Sequence, residues 1–267
     1  MSQPSGPPAK PGVKPQFYAG GERPDLSELL SETMNEFTEN LSSYAMAGLG
    51  QMLILFPVIL ITIFGLYIAL GLGVVGMIVG GAGLAAVLPE DLVALGAVLG
   101  PFIMISVIGI GSIAAIGLVT AVTAPLHASL VRAIVAHQRG EQPLEWTSAF
   151  STLTENVSAV IFGALTLTVL SILLAMMCYL PALLPLIFLT FAPSLIAIHG
   201  HGAMDGLRLA AQHARAHLGW HATFGLIGFV MLMVASNIPV IGPMFVVAFH
   251  VRAYRRVFGD GPEPVLA

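Results

Sequence analysis

Four stretches of the chain, residues 41–89, 92–131, 156–204 and 216–251, contain no Asp, Glu, Lys or Arg. A helix needs about 20 apolar residues to cross the hydrocarbon layer of a bilayer, so each stretch is long enough to cross, and some to cross and return. Turn residues cluster at Pro89-Glu90-Asp91, Tyr179-Leu180-Pro181 and Asn237-Ile238-Pro239. The pattern predicts an all-α integral membrane protein with about six transmembrane helices in three hairpins. Helices are the expected element because a backbone in lipid must satisfy its own hydrogen bonds.

Each hairpin is preceded by a shorter segment of mixed character. Leu30, Met34, Phe37 and Leu41 are spaced 4, 3, 4, as are Trp146, Phe150, Leu153 and Val157, and again Leu207, Ala211, Ala214 and Leu218. That spacing lines one face of an α-helix. Thr38-Glu39-Asn40-Leu41-Ser42 recurs as Thr154-Glu155-Asn156-Val157-Ser158, and His217 stands at the matching place in the third copy. The chain therefore reads as three repeats of an amphipathic interfacial helix, near 25–45, 143–156 and 205–218, followed by a hairpin. Residues 25–259 form one multi-pass membrane domain. The Pro- and Gly-rich residues 1–24 are expected as a disordered cytoplasmic tail, and 260–267 as a C-terminal tail. Pro125 and Pro193 fall in returning helices, where a missing N–H kinks the backbone.

The first hairpin is out of scale. Its two arms hold about 40 residues each, or roughly 60 Å at the α-helical rise, twice the hydrocarbon thickness. An elongated helix pair is favoured; an eight-span layout, with re-entrant turns near Gly71-Leu72-Gly73 and Gly109-Ile110-Gly111, is the alternative. Its glycines include Gly73, Gly76, Gly80, Gly96 and Gly100, with 76/80 and 96/100 at GxxxG spacing. Small residues let helix backbones approach in lipid, which points either to packing within the hairpin or to a homo-oligomer interface.

Charge supplies the orientation. All ten Lys and Arg residues fall on the N-terminal side of the first hairpin or on alternate connections: Lys10, Lys14 and Arg23; Arg132 and Arg139; Arg208 and Arg215; Arg252, Arg255 and Arg256. If every uncharged turn joins two spans, all cations share one side, the positive-inside pattern, and both termini are cytoplasmic. Arg139, Arg208, Arg215, Arg252, Arg255 and Arg256 are then candidate contacts for lipid headgroups, besides fixing topology. Only 9% of the residues are charged and the net charge is −4, which speaks against a nucleic-acid partner. The acids Asp25, Glu28, Glu32, Glu36 and Glu39 accompany the first amphipathic segment, which is expected to pack on other helices or, alternatively, to dock a partner. Asp25 and Glu28 fit a capping box.

Chemistry-bearing motifs are sparse. The spans hold no carboxylate or basic side chain of the Lys or Arg type to serve as an ion site or relay. The single cysteine, Cys178, excludes an intrachain disulfide. His213, His217 and His221 are spaced by four and sit near His199 and His201; a solvated or headgroup-facing role is expected, with metal binding and pH sensing as alternatives. Trp146, Trp220, Tyr179 and Tyr254 suit interfacial belts. No catalytic, cofactor or metal site is assigned.

The repeat, together with Ile238-Pro239-Val240-Ile241-Gly242-Pro243 and Tyr254-Arg255-Arg256-Val257-Phe258-Gly259, resembles a loose group of bacterial six-helix membrane proteins that includes the membrane half of some glycerophosphodiester phosphodiesterases. The resemblance is clearest over 143–259, and nothing matches the catalytic domain of those enzymes. In layout the chain is also similar to ring-forming inner-membrane proteins of predatory bacteria that enclose a patch of lipid. The resemblance implies a bacterial inner (cytoplasmic) membrane location. The leading functional expectation is a non-enzymatic homo-oligomer that organises or encloses membrane lipid. A small-solute transporter or channel is the alternative, and an adaptor acting through 1–45 a third.

Overall fold

The computed structural model describes residues 24–85, 89–177, 184–235 and 237–259. Among them there is no strand; the chain is all-helical. Helix α1 (Leu26–Glu39) leads into α2 (Leu41–Ala85) and α3 (Glu90–Gln138), then a 3₁₀ turn (Trp146–Phe150), α4 (Val157–Met177), α5 (Leu184–Phe188), α6 (Ala192–His199), α7 (Ala203–Ala216), α8 (Leu218–Ala235) and α9 (Ile241–Phe258). Segments Leu41–Gly76, Gly111–Gln138, Val157–Leu174 and Leu218–Ala235 are long and apolar enough to cross a membrane.

The elongated first pair is present. Helices α2 and α3 contain 45 and 49 residues, about 68 and 74 Å at 1.5 Å per residue. Both run unbroken through Gly71–Gly73 and Gly109–Gly111, so the re-entrant turns of the eight-span layout are not formed there. The expected tails, 1–23 and 260–267, lie outside the described residues, as do Cys178, Tyr179 and Pro181.

The repeat appears as three equivalent junctions. Asn40, Asn156 and His217 each stand one residue before a helix, and their carbonyls accept the first helical bond from Tyr44, Val160 and His221 at 3.1, 3.0 and 3.1 Å. The second copy departs from expectation. Residues 143–156 form the 3₁₀ turn and a run of turns rather than an amphipathic α-helix, and Asn156 takes a positive φ of 51°. The reason lies in its tertiary partners. The last four carbonyls of a helix have no intrahelical donor. Here Asn156 Nδ2 donates to the Ile196 and His201 carbonyls at 3.1 and 3.2 Å, and Arg132 Nε donates to Ala197 O at 2.6 Å. Arg132 also bonds the carbonyls of Thr152 and Glu155 at 2.9 and 3.0 Å. Bonds that cap α6 thus replace those an amphipathic helix would make for itself, and asparagine tolerates the left-handed region better than most residues.

Prolines also resolve differently. Pro193 lies in the first turn of α6, where the missing N–H has no helical acceptor to lose; the chain breaks before it, between α5 and α6. Pro125 is accommodated inside α3 without a break.

The first amphipathic helix is rotated from its sequence stripe. Leu29, Thr33 and Phe37 are buried, whereas Leu30 and Met34 are 36% and 47% exposed. Glu32 and Glu36 share the inward face and meet α9. Arg252 pairs with Glu32 at 3.1 Å and with Glu36, and Arg256 pairs with Glu32 at 2.5 Å. The acids and arginines therefore hold α1 on α9, while the apolar core of this layer is built from Phe37, Tyr44, Leu130, Ile134, Met244 and Val251. Arg255 bonds Gln138 at 3.1 Å and Gln138 bonds Glu36 at 3.2 Å. The ends of α3 and α9, together with α1, form one charged layer.

Candidate functional site

Beneath this layer, away from the arginines, the helices form a half-open cavity of two limbs. One limb, about 380 Å³, lies among α2, α3, α6, α8 and α9; the other, about 460 Å³, lies among α2, α3, α4 and α6. Each falls in the size range of small-molecule sites, about 300–1,000 Å³. Gln51, Leu55, His127, Val131 and Pro193 line both limbs and make the neck where they meet.

Helical spacing brings these residues together. Gly48, Gln51, Leu55 and Ile59 form one stripe of α2; Thr120, Thr123, His127 and Val131 form one of α3; Val160, Ala164 and Thr168 one of α4; and Val247, His250 and Val251 lie on α9. Residues three or four apart share a helix face. Beyond the neck the second limb is lined by Ile59, Val160 and Leu167, and its far hydroxyls serve each other: Thr120 and Thr168 Oγ1 lie 3.4 Å apart, and Thr123 donates to Thr120 O.

Polar groups gather at and beside the neck. Among the described residues neither the Gln51 amide nor the His127 ring has a hydrogen-bond partner. Ser194 and Thr190 line the first limb with His250. Nδ1 of His250 lies 2.8 Å from the Val246 carbonyl. A carbonyl only accepts, so this nitrogen carries the proton and Nε2 carries the lone pair. Gly228 makes room for the ring: a Cβ there would lie 3.1 and 3.2 Å from Cε1 and Nε2 of His250. At the turn before α9, Val240 holds a φ of 68°, a left-handed geometry that is costly for a β-branched residue, and its side chain lines the first limb.

The expected site residues sit elsewhere. Gly73, Gly76 and Gly100 have no atom within 4 Å of where a Cβ would be among the described residues; the surroundings of Gly80 and Gly96 lie outside them. Arg208 and Arg215 are exposed on α7. Arg139 is half-buried and pairs with Glu141 at 3.6 Å. Arg252 and Arg256 are engaged by Glu32 and Glu36, and Arg255 by Gln138, so the charge that headgroups would meet there is largely answered within the chain. The Arg256 hydrogen bond, opposed by partial burial and helped by Arg252, holds the Glu32 carboxyl below its ordinary range.

The histidines are not a solvated stripe. Helix α7 ends at Ala216, and the break at His217 folds the three rings together: His213 Nδ1 and His221 Nε2 are 2.8 Å apart, and the rings of His213 and His217 are 4.8 Å apart. His221 is buried against Phe191 and Trp220. Burial, then the neighbouring His221 and His217, push the His213 imidazole down to about 4. Among the described residues no group of three or more His, Cys, Asp or Glu side chains is placed to hold a metal ion. Tyr254 is fully buried and its hydroxyl bonds His199 Nδ1, so it is core rather than interfacial belt; Trp146 is exposed, while Trp220 donates to the Pro24 carbonyl at 3.1 Å.

Sequence reading missed His127, His250 and Gln51. Its search of the spans for ionisable groups considered acids, lysine and arginine, and no local spacing marks one histidine on α3 and one on α9 as neighbours. The available signal was their location: a polar side chain within an apolar stretch is a site hypothesis in itself. Comparison with known proteins returned no matching family model, no matching curated protein and no matching solved structure.

Proposed function

We propose that this protein is a non-enzymatic homo-oligomer of the bacterial inner membrane that organises or encloses lipid. It has six spans, with α5–α6 as a broken fourth and α9 as the sixth, and both termini in the cytoplasm. The observation that carries the reading is the outer surface of α2. Its most apolar window has no buried residue, and Leu53, Phe56, Ile61, Phe64, Tyr67, Leu72 and Val75 are each more than half exposed.

A helix of about 68 Å exceeds the roughly 30 Å hydrocarbon layer twofold. The excess apolar surface needs cover, and a second copy supplies it through the unopposed glycines Gly73 and Gly76, where backbones can approach. No charged group lines the two-limbed cavity, which agrees with a role in handling apolar molecules. The native mass of the purified protein in detergent tests the reading. Oligomers are expected for the wild type and smaller particles for Gly73→Leu combined with Gly76→Leu; a wild-type monomer overturns it.

A second reading, a small-solute transporter or channel, is favoured by one observation, the open cavity with its polar neck. It requires substrate-dependent flux in liposomes, which the first reading does not.

A further inference from the structure

We propose that the two-limbed cavity is a binding site, within one chain, for an uncharged two-chain glycerolipid of the diacylglycerol class. Its chains occupy the limbs and its ester–glycerol region sits at the neck. This goes beyond the oligomer reading and does not depend on it.

Shape gives the first argument. Both limbs share the neck; the first follows α9 from Val251 to Val240, and the second follows α2 and α3. The stripes that line the second limb, Gln51 to Ile59 on α2 and Val131 to Thr120 on α3, extend about 12 and 17 Å at the helical rise. That is close to one leaflet's share, about 15 Å, of the hydrocarbon thickness. A single fatty chain fills one limb and leaves the other without partner atoms, whereas a branched pair fills both from one head.

Chemistry gives the second argument. The neck offers donors without charge. The Gln51 amide and a His127 ring N–H can both be given to ester carbonyls, which accept. The His250 ring, whose Nδ1 is bound to the Val246 carbonyl, adds an uncharged polar wall to the first limb beside the neck. No Lys or Arg lines either limb. A phosphate drawn into the neck would lose its hydration without gaining a cation, so the site discriminates against phosphatidic acid with the same chains.

The experiment uses the full chain purified in mild detergent, with diacylglycerol, the matching phosphatidic acid and the matching fatty acid added in separate titrations followed by native mass spectrometry. One diacylglycerol per chain is expected, with affinity at least tenfold above the other two. Ala164→Phe with Thr168→Phe, which fills the second limb, should lower that affinity tenfold or more, and Gln51→Leu with His127→Leu should remove the preference over phosphatidic acid. Equal affinity for fatty acid, or undiminished binding by the filled variant, overturns the proposal. Should the filled variant fail to fold, a diacylglycerol with a photoreactive group at each chain end decides on the wild type. Crosslinks at 160–168 and at 240–247 support the site, and crosslinks confined to the outer face of α2 overturn it. Diacylglycerol bound to a monomer would sink the oligomer reading while leaving this one standing.

Discussion

Arg132 shows how one side chain at the end of a span organises several connections. Its guanidinium reaches the carbonyls of Ala197, Thr152 and Glu155 and lies 3.6 Å from the Glu155 carboxylate. Lysine carries the charge but not the planar fork that addresses three acceptors. Arg132→Lys is therefore expected to destabilise the protein almost as much as Arg132→Ala, by about 2–3 kcal/mol for lost bonds to a charged group and carbonyls left unmatched, as read from thermal unfolding in detergent. A lysine variant as stable as the wild type would show that charge alone is used. His213 makes a second prediction. Its folded form is depressed from 6.5 to about 4, so between those values the unfolded chain takes up a proton that the folded chain refuses. Stability should fall as pH drops from 6.5 towards 4 and level off below, and His213→Phe should make that fall shallower. The Glu32 carboxyl, held low by Arg256 and Arg252, acts in a different range: its stabilisation is present above the ordinary 4.5 and lost as pH falls below it. The two groups are thus separable in a single pH series of melting temperatures.

At the scale of elements, the docking of α1 on α9 depends on charges placed on an inward face. Glu36 and Arg252 are 16% and 21% exposed, between the weak regime of surface pairs and the costly regime of buried ones. Truncating either to alanine should cost about 2 kcal/mol, and a double-mutant cycle should show that the two losses are not additive. Limited proteolysis should release α1 in both single variants. Close backbone approaches fix the other junctions. A Cβ on Gly50 would lie 2.0 Å from the Trp146 carbonyl oxygen, and one on Gly242 would lie 2.0 Å from that of Ala235. In both cases the obstruction is backbone, which cannot rotate away. Gly50→Ala is expected to lower the melting temperature by the equivalent of about 1–3 kcal/mol, the usual range for overpacking, although alanine is the better helix former.

For the whole molecule the arrangement separates two surfaces of different character. The charged layer, where the ends of α3 and α9 meet α1, satisfies most of its own charge. The outer face of α2 is apolar and uncovered over most of its length. If lipid alone covers α2, Gly73→Leu with Gly76→Leu should leave the particle mass unchanged; if another copy covers it, the mass should drop. Reporter fusions at Glu90, Leu180 and Ile238 should all report the side opposite the arginines. A reporter at Ile238 facing the arginines would remove α9 from the set of spans and reduce the six-span layout.

Composition and periodicity determined that the chain is helical, apolar over membrane-length segments, built around a repeated junction at Asn40, Asn156 and His217, and elongated in its first pair. Those properties are local: an uncharged stretch has one affordable partner for its backbone groups, and an Asn-like residue before a hydrophobic run starts a helix wherever it lies. Which face each helix turned inward was decided by the tertiary structure. Leu29 rather than Leu30 is buried because Glu32 and Glu36 follow the arginines of α9, and 143–156 gives up its helix because Arg132 and Asn156 are needed at the end of α6. The cavity belongs to the same class. Gln51, His127 and His250 lie on three helices and become neighbours only when those helices pack, so no spacing along the chain could announce them.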